Sequence, residues 1–423
     1  MRKVSAVSCA VVVATALGLA GCSAGPQANS GGGEDGDTVL TVSGFAGDPT
    51  AEPLIEAFEE ENPGVTVEFT ALPFPGILTQ INTELVSGNA SDVVAVFPGN
   101  GNPIAVHALA KGDYLADLSG SDWVGNYNDA NKAVMGTDGE ILMGANAFTI
   151  IPAIYNTQAL EAVGATPPTT FSEVLALCDT AKSNGKVAYA LAGVAGGNYP
   201  YVAYALYATL VHGANPDFVA EQASGDASFS DSEWTTVLSK YREMVDAGCF
   251  TADATGTSVD VAQGQVAKGE ALGIVTVSPV ITAIADAAPE GTTFQTAPFP
   301  ATDDASETFL PVGLGAGYGV NAKSKNIDLA KKFVDFYMSD AGLKIAVELA
   351  SIYPSAPVEG YTPPESLAGV AEQAQGDQTA SFPDQTWPNA VVNQTYLDGL
   401  QAFIGGQTTA EDLLAQLDSA YNG

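Results

Sequence analysis

The sequence predicts an α/β protein built from mostly parallel sheet covered by helices. Two observations carry that reading. Short apolar strand-like runs alternate with helical periodicity in the order β-α-β-α-β through the first third of the chain. Hydrophobic residues make up 46% of the 423 residues and charged residues only 15%, so a large core can be buried. The length suits two or three domains of roughly 150 residues each.

The elements follow in order. Val39 to Val42 is a short apolar strand, and Gly44 to Pro49 is a loop. Leu54, Ile55 and Phe58 mark one face of a helix that stops at Asn62, Pro63 and Gly64. Val65, Val67 and Phe69 alternate as a strand. Ile77, Leu78, Ile81 and Leu85 recur at helical spacing up to Ser87 and Gly88. Asp92 to Phe97 is one acid followed by a continuous apolar run, which suits a strand buried on both faces. His107 falls in a helical stretch from Ile104 to Leu109.

Later, Thr170 with Glu173, Ser230 with Glu233 and Thr408 with Glu411 have capping-box spacing and open three helices. The first runs through Lys182. The second buries Trp234, Val237, Leu238 and Tyr241 and stops at Gly248. The third buries Leu413, Leu414 and Leu417. Tyr189 to Ala192 and Ala271 to Val277 read as strands. Ile327, Ala330, Phe333, Val334 and Tyr337 line a long amphipathic helix, and Val391 to Leu400 is another helical run.

The first 21 residues read as an export signal: a basic start at Arg2 and Lys3, then an apolar run from Val11 to Leu19. That run is far shorter than the roughly 20 residues of a membrane span. Leu19, Ala20, Gly21 and Cys22 resemble the lipobox of bacterial lipoproteins, which implies lipidation of Cys22. Ordinary signal cleavage beside an incidental cysteine is the alternative. Residues 22–37 read as the lipidated cysteine and a polar tether, with an r.m.s. span of roughly 20 Å. The expected location is the extracellular face of the cell membrane, held through the N-terminal lipid only.

Charge excludes several functions. Fourteen Lys and Arg face 49 Asp and Glu, a formal charge of −35. A phosphate-tracking nucleic-acid binder needs the opposite balance. The two histidines, His107 and His212, are far apart, so no metal site is expected. The G-x-S-x-G elbow and the phosphate loop are absent. The stretch Gly313 to Gly319 lacks the third glycine of a dinucleotide fingerprint, so no cofactor is expected. A carboxylate pair of glycosidase type stays open. Of four cysteines, Cys9 leaves with the signal and Cys22 takes lipid. Cys178 and Cys249 are left in an oxidising setting, which predicts a disulfide between them.

Several stretches taken together resemble the family 1 extracellular solute-binding proteins, the maltose-binding-protein-like sugar receptors of ABC importers. Asn89 to Phe97 is similar to their "PDVV" strand. Tyr155 to Leu160 with Pro167 to Glu173 is similar to "YYNKDLF…PPTTWDEL". Lys268 to Ile274 is similar to "GKAAM", and Gly317 to Val320 with Ala330 to Phe336 to "GGxGxxI…A..F..F". Gly405 to Glu411 is similar to the "SGKKSPEEAL" ending.

The resemblance implies two α/β lobes of the type II periplasmic-binding-protein-like fold around a ligand cleft. Lobe 1 would hold 38–150 and 312–360, and lobe 2 would hold 151–311 and 361–423. It implies a non-enzymatic, monomeric receptor that closes on a mono- or short oligosaccharide and delivers it to the transmembrane subunits of an ABC permease. By block position the expected contacts are Phe45, Asp48, Phe97, Asn100, Asn146, Phe148, Asn198, Tyr199, Ser278, Gly313, Gly315, Tyr353 and Trp387. Trp387, in the Pro-bounded run Ser381 to Pro388, is the expected principal stacking platform. Ser278 and Pro279 stand where many relatives carry Trp, which leaves room for a smaller or more polar ligand. A receptor for a polyamine or an iron complex, and a lipid-anchored glycosidase, stay open.

Overall fold

The computed structural model describes residues 38–350 and 352–423, so the expectations for the signal, Cys22 and the tether lie outside the described residues. The chain begins β1 (Thr38–Phe45), α1 (Ala51–Glu61), β2 (Val65–Leu72), α2 (Gly76–Ser87) and β3 (Val93–Val96). Next come α3 (Val106–Ala110), α4 (Asp129–Met135), a small hairpin of β4 (Gly136–Thr137) and β5 (Glu140–Ile141), then β6 (Ala147–Ile150). β7 (Ala153–Asn156), α5 (Thr157–Ala162), α6 (Phe171–Ser183), β8 (Val187–Tyr189), α7 (Tyr199–Tyr207), α8 (Phe218–Ser224), α9 (Trp234–Asp246), α10 (Val259–Ala267), β9 (Ala271–Val275), α11 (Val280–Asp286) and β10 (Phe294–Ala297) follow. The chain then runs through β11 (Leu310–Leu314), β12 (Gly317–Val320), α12 (Ile327–Tyr337), α13 (Asp340–Leu349) and β13 (Tyr353–Pro354). It ends with α14 (Ala368–Ala371), β14 (Thr379–Ala380), α15 (Pro383–Thr386), α16 (Ala390–Ile404) and α17 (Ala410–Asn422).

The first lobe is built on the sheet β12-β3-β1-β2. β1 runs parallel to both β2 and β3, and β12 is antiparallel to β3. Every residue of β3 is buried, as its unbroken apolar run requires. Asp92 just before it accepts from the N–H and hydroxyl of Thr41, both at 2.9 Å, and from Ser324 Oγ at 2.6 Å. Burial alone would raise its pKa. The hydrogen bonds from Ser324 and Thr41 outweigh burial and hold it below the usual carboxylate value. The acid therefore ties β1, β3 and the entry to α12 together. Phe58 of α1 packs edge-on against Phe333 of α12 at 5.1 Å, so the two helices share one core.

The second lobe is built on β10-β7-β9-β8, where only β8 and β9 are parallel. A third sheet, β13-β6-β11-β14, collects the strands on which the chain passes between lobes. α6 opens with the expected capping box: Thr170 accepts from the Glu173 N–H, and Glu173 reaches back to the Thr170 N–H. The box expected at Ser230 does not form. Asp418 of α17 takes the N–H groups of Phe229 and Ser230 instead, and α9 begins at Trp234. The last helix is capped one residue later than expected, by Thr409 onto Asp412. The strands expected to reach Ala192 and Val277 end at Tyr189 and Val275, where loops begin.

Cys178 on α6 is joined to Cys249 after α9, with Cα atoms 4.7 Å apart. The bond spans 71 residues of sequence and stabilises by about 4 kcal/mol in the chain-entropy model. Among the described residues no helix is long and apolar enough to cross a membrane.

Candidate functional site

Two of the crossings enter the sheets at the same kind of edge. β12 begins opposite the end of β3, with Gly317 paired to Val96. β7 begins opposite the end of β9, with Ala153 paired to Val275. The loops that follow β1, β2 and β3 therefore gather on the side of lobe 1 where the chain crosses. The loops after β8 and β9 gather on the matching side of lobe 2. Open α/β sheets bind ligands at such edges, because successive loops diverge there and leave a crevice.

On the lobe 1 wall, Phe45 at the end of β1 meets Phe97 after β3 edge-on at 5.6 Å. Asp48 uses one carboxylate oxygen to accept from the N–H and hydroxyl of Thr50, at 2.9 and 2.7 Å, where α1 begins. Phe74, after β2, is 52% exposed. Its ring reaches across to lobe 2, where a Cβ on Gly196 would lie 3.1 Å from it. Asn100 is buried, and its side-chain N–H donates to the Pro388 carbonyl. Gly99, with φ +70°, lets the same loop press on the Gln385 backbone, where any side chain would collide.

At the crossings, Asn146 accepts from the Tyr337 hydroxyl at 2.7 Å. Phe148 on β6 is paired with Leu314 and Tyr353. Ser278 is fully buried; its N–H donates to Ile150 O at 2.8 Å, and its hydroxyl accepts from Ile150 N–H at 3.3 Å. Gly313 and Gly315 are places of close approach: a Cβ would stand 3.0 Å from the Gln385 side chain and 3.1 Å from the Thr149 hydroxyl, respectively. Tyr353 meets Tyr361 edge-on at 5.8 Å.

Lobe 2 departs from the expected contacts. Asn198 accepts from Ala192 N–H at 2.8 Å and donates to Ala190 O and Val275 O, both at 3.1 Å. It braces the ends of β8 and β9 with its amide fully used. Tyr199 turns into the core, and its phenol is pushed up to about 12 by burial and by Asp398. Trp387 is 3% exposed and meets Tyr396 at 5.4 Å and Phe229 at 6.1 Å. Its indole belongs to the lobe 2 core and offers the cleft no stacking face. The Pro-bounded segment holds the ring fixed, as expected, but pointed inward.

The same segment carries Asp384, which the sequence reading passed over. Its carboxylate lies against Gly101, where a Cβ would stand 2.6 Å from Asp384 Oδ2. Burial raises its pKa to about 6, and a hydrogen bond from Tyr204 offsets part of that rise. Among the described residues the one ion pair is Arg242–Asp246, so Asp384 has no cationic partner. Asn393 Nδ2 donates to Gly101 O at 2.7 Å, and Gln385 Nε2 donates to Leu314 O at 2.9 Å. These contacts carry the lobe 1 loop across to α15 and α16.

The family profile of the bacterial extracellular solute-binding proteins matches residues 44–344. The chain belongs to that family. The multiple sugar-binding protein of Streptococcus mutans is 23% identical over 298 residues, covering 70% of this chain and 69% of that one. Among solved structures, a chitin oligosaccharide binding protein superposes with a TM-score of 0.76 at 17% identity, covering 90% of this chain and 98% of its own. The solute-binding protein RafE in complex with raffinose gives 0.73 at 19% identity, covering 91% and 99%; an apo form of RafE comes from Streptococcus pneumoniae. These likenesses establish the two-lobed α/β fold.

Three residues of this solute-binding protein lie where the lobes approach without having been singled out: Phe74 against Gly196, Tyr201 beside the same glycine in a small cavity, and Asp384 against Gly101. Two of them stood close to one that was. Tyr201 lies three positions beyond Asn198 and Asp384 three before Trp387, while Phe74 sits between Pro73 and Pro75. A loop ring between prolines, and an acid without a basic residue nearby, were the available signals. The histidines are structural. His107 Nε2 bonds the Ala133 and Gly136 carbonyls, and His212 packs on Phe309. Among the described residues no group of three or more His, Cys, Asp or Glu is placed to hold a metal.

Proposed function

We propose that this protein is the membrane-tethered extracellular receptor of an ABC importer and captures a mono- or short oligosaccharide between its lobes. The observation that carries the reading is the meeting of five strand-end loops, from both sheets of a solute-binding protein, on one crevice. The relatives, a multiple sugar-binding protein, a chitin oligosaccharide binding protein and RafE in complex with raffinose, support the ligand class.

In this reading 38–150 with 312–360 form one lobe, and 151–311 with 361–423 the other. Ligand bridges them and favours the closed state through its greater affinity for it. Phe45, Phe74 and Phe97 offer ring faces to the C–H face of a sugar. Asp48, Asn100, Asn146 and Asp384 offer polar atoms to its hydroxyls. Among the described residues, Asn100 Oδ1 and Asn146 Nδ2 have no intramolecular partner, so each amide keeps one free end. Phe148, Gly313, Gly315, Ser278 and Tyr353 serve the crossing strands, and Asn198, Tyr199 and Trp387 hold lobe 2 rigid. The protein does no chemistry on its ligand. It acts as a monomer, is held by lipid on Cys22, and in the closed state presents itself to the permease subunits.

A thermal-shift screen over mono- and oligosaccharides tests this reading. Ligand at 100 times Kd stabilises by about 2.7 kcal/mol, and a melting curve that no sugar moves removes the carbohydrate assignment. Turnover of any oligosaccharide would make it an enzyme instead. Fractionation of cells carrying Cys22→Ser tests the tether: the variant is expected to leave the membrane, and full retention rules the lipid out. A second reading, a polyamine receptor, is favoured by the unpaired Asp384 carboxylate. A spermidine arm in the same screen decides between the two.

A further inference from the structure

Under the loop after β8 lies a cavity of about 70 Å³ that the contacts above leave unused. Its floor and walls are small and apolar. Ile274 comes from β9, Ala262 from α10, and Val277 and Val280 from the turn into α11. Three residues with polar side chains, Tyr201, Thr276 and Gln263, also line it. Among the described residues none of the three makes a side-chain hydrogen bond, and none is a buried unsatisfied group, so each keeps capacity for a ligand. Asn198 also lines the cavity, but its amide is spent on Ala190, Ala192 and Val275.

The cavity adjoins the cleft. Gly196 is on its rim, and Gly196 is the residue that Phe74 of lobe 1 meets from across the cleft. A group entering here projects from a sugar held between the lobes, and Phe74 stands over it.

Size and polarity narrow what fits. A cavity of this volume corresponds to about two waters at ~30 Å³ each, far less than a second sugar ring needs. A hydroxyl alone would leave the apolar floor unfilled. A bare methyl would leave Tyr201, Thr276 and Gln263 without partners. An acetamido group satisfies both, with its methyl on Ala262, Ile274, Val277 and Val280 and its N–H and C=O toward the three polar groups. We propose that lobe 2 carries a subsite for the acetamido group of an N-acetylated sugar, and that this subsite sets the ligand's identity. The proposal rests on the carbohydrate reading.

The test compares two β1,4 disaccharides that differ at this substituent, N,N′-diacetylchitobiose and cellobiose, by calorimetric titration of the whole mature protein. The acetylated sugar is expected to bind at least tenfold tighter. Ala262→Leu, which fills the floor, is expected to erase the difference while leaving cellobiose affinity within twofold. Val280→Phe fills the same space from a half-buried helix start and serves if the first variant fails to fold. A third pair, 2′-fucosyllactose against lactose, offers a methyl without the amide. A gain there with none for the N-acetylated sugar overturns the acetamido assignment. Equal affinity for both β1,4 disaccharides, unchanged in the filled variants, overturns the subsite and leaves the carbohydrate reading standing. Binding of no sugar at all removes that reading and the subsite with it.

Discussion

The two lobes differ in the rings they carry at their strand ends. In lobe 1, Phe45, Phe74 and Phe97 stand at or just beyond the ends of parallel strands, and Phe74 is half exposed. In lobe 2 the large rings form a continuous buried stack. Tyr204 lies flat on Tyr396 at 5.5 Å, Tyr207 on Trp234 at 5.2 Å, and Trp387 closes the group edge-on to Tyr396. The rings of lobe 2 come mainly from helices, which turn one face to a core. Lobe 1 also buries helix-borne rings such as Phe58 and Phe333, but the rings it turns toward lobe 2 come from strand ends, where the chain leaves the sheet. A ring's size therefore says less about its role than the kind of element that carries it.

The largest expected effect comes from Trp387→Ala, which should cost about 3–5 kcal/mol of stability by leaving a cavity among Phe229 and Tyr396. Chemical denaturation checks it. A variant that melts like the parent but loses ligand affinity would return Trp387 to the cleft and erase the contrast. Replacing Cys178 and Cys249 together by Ala should cost roughly 2–4 kcal/mol and leave affinity intact, read from denaturation and titration in parallel.

Phe74→Ala sharpens the contrast from the other lobe. A stacking ring carries about 2 kcal/mol of binding, so affinity should fall roughly thirtyfold while the unliganded melting temperature hardly moves. An unchanged affinity would leave lobe 1 without its main ring.

The smallest effect is a slope. Burial raises the folded pKa of Asp384 to about 6, above the ~3.9 of an unfolded aspartate. The folded protein therefore holds that proton longer than the unfolded chain does. Stability contributed by this group falls as pH rises from about 4 to about 6, then levels off. Asp384→Asn should flatten that part of the melting-temperature profile, and a profile identical to the parent's would show that Asp384 does not titrate there.

Much of this was legible in the chain itself. Apolar alternation in Val65 to Phe69 and the unbroken run after Asp92 mark two strands of the first sheet, because period and burial leave direct traces in residue type. The box at Thr170 and Glu173 is local, so four residues suffice to specify it. The pairing of Cys178 with Cys249 follows from count and compartment once two other cysteines are assigned elsewhere. What only the tertiary structure decided is direction and distant partnership. Ser230 loses its expected box to Asp418, a residue 188 positions away, and no local pattern carries that information. Pro383 and Pro388 restrict the backbone around Trp387 but do not say which way its indole points. The core supplied by Phe229 and Tyr396 turned it inward, and the neighbouring Asp384 was set against Gly101 of lobe 1. Periodicity records which face of an element is buried. A loop has no period, so the residues that meet a ligand are settled by where the two lobes bring their strand ends together.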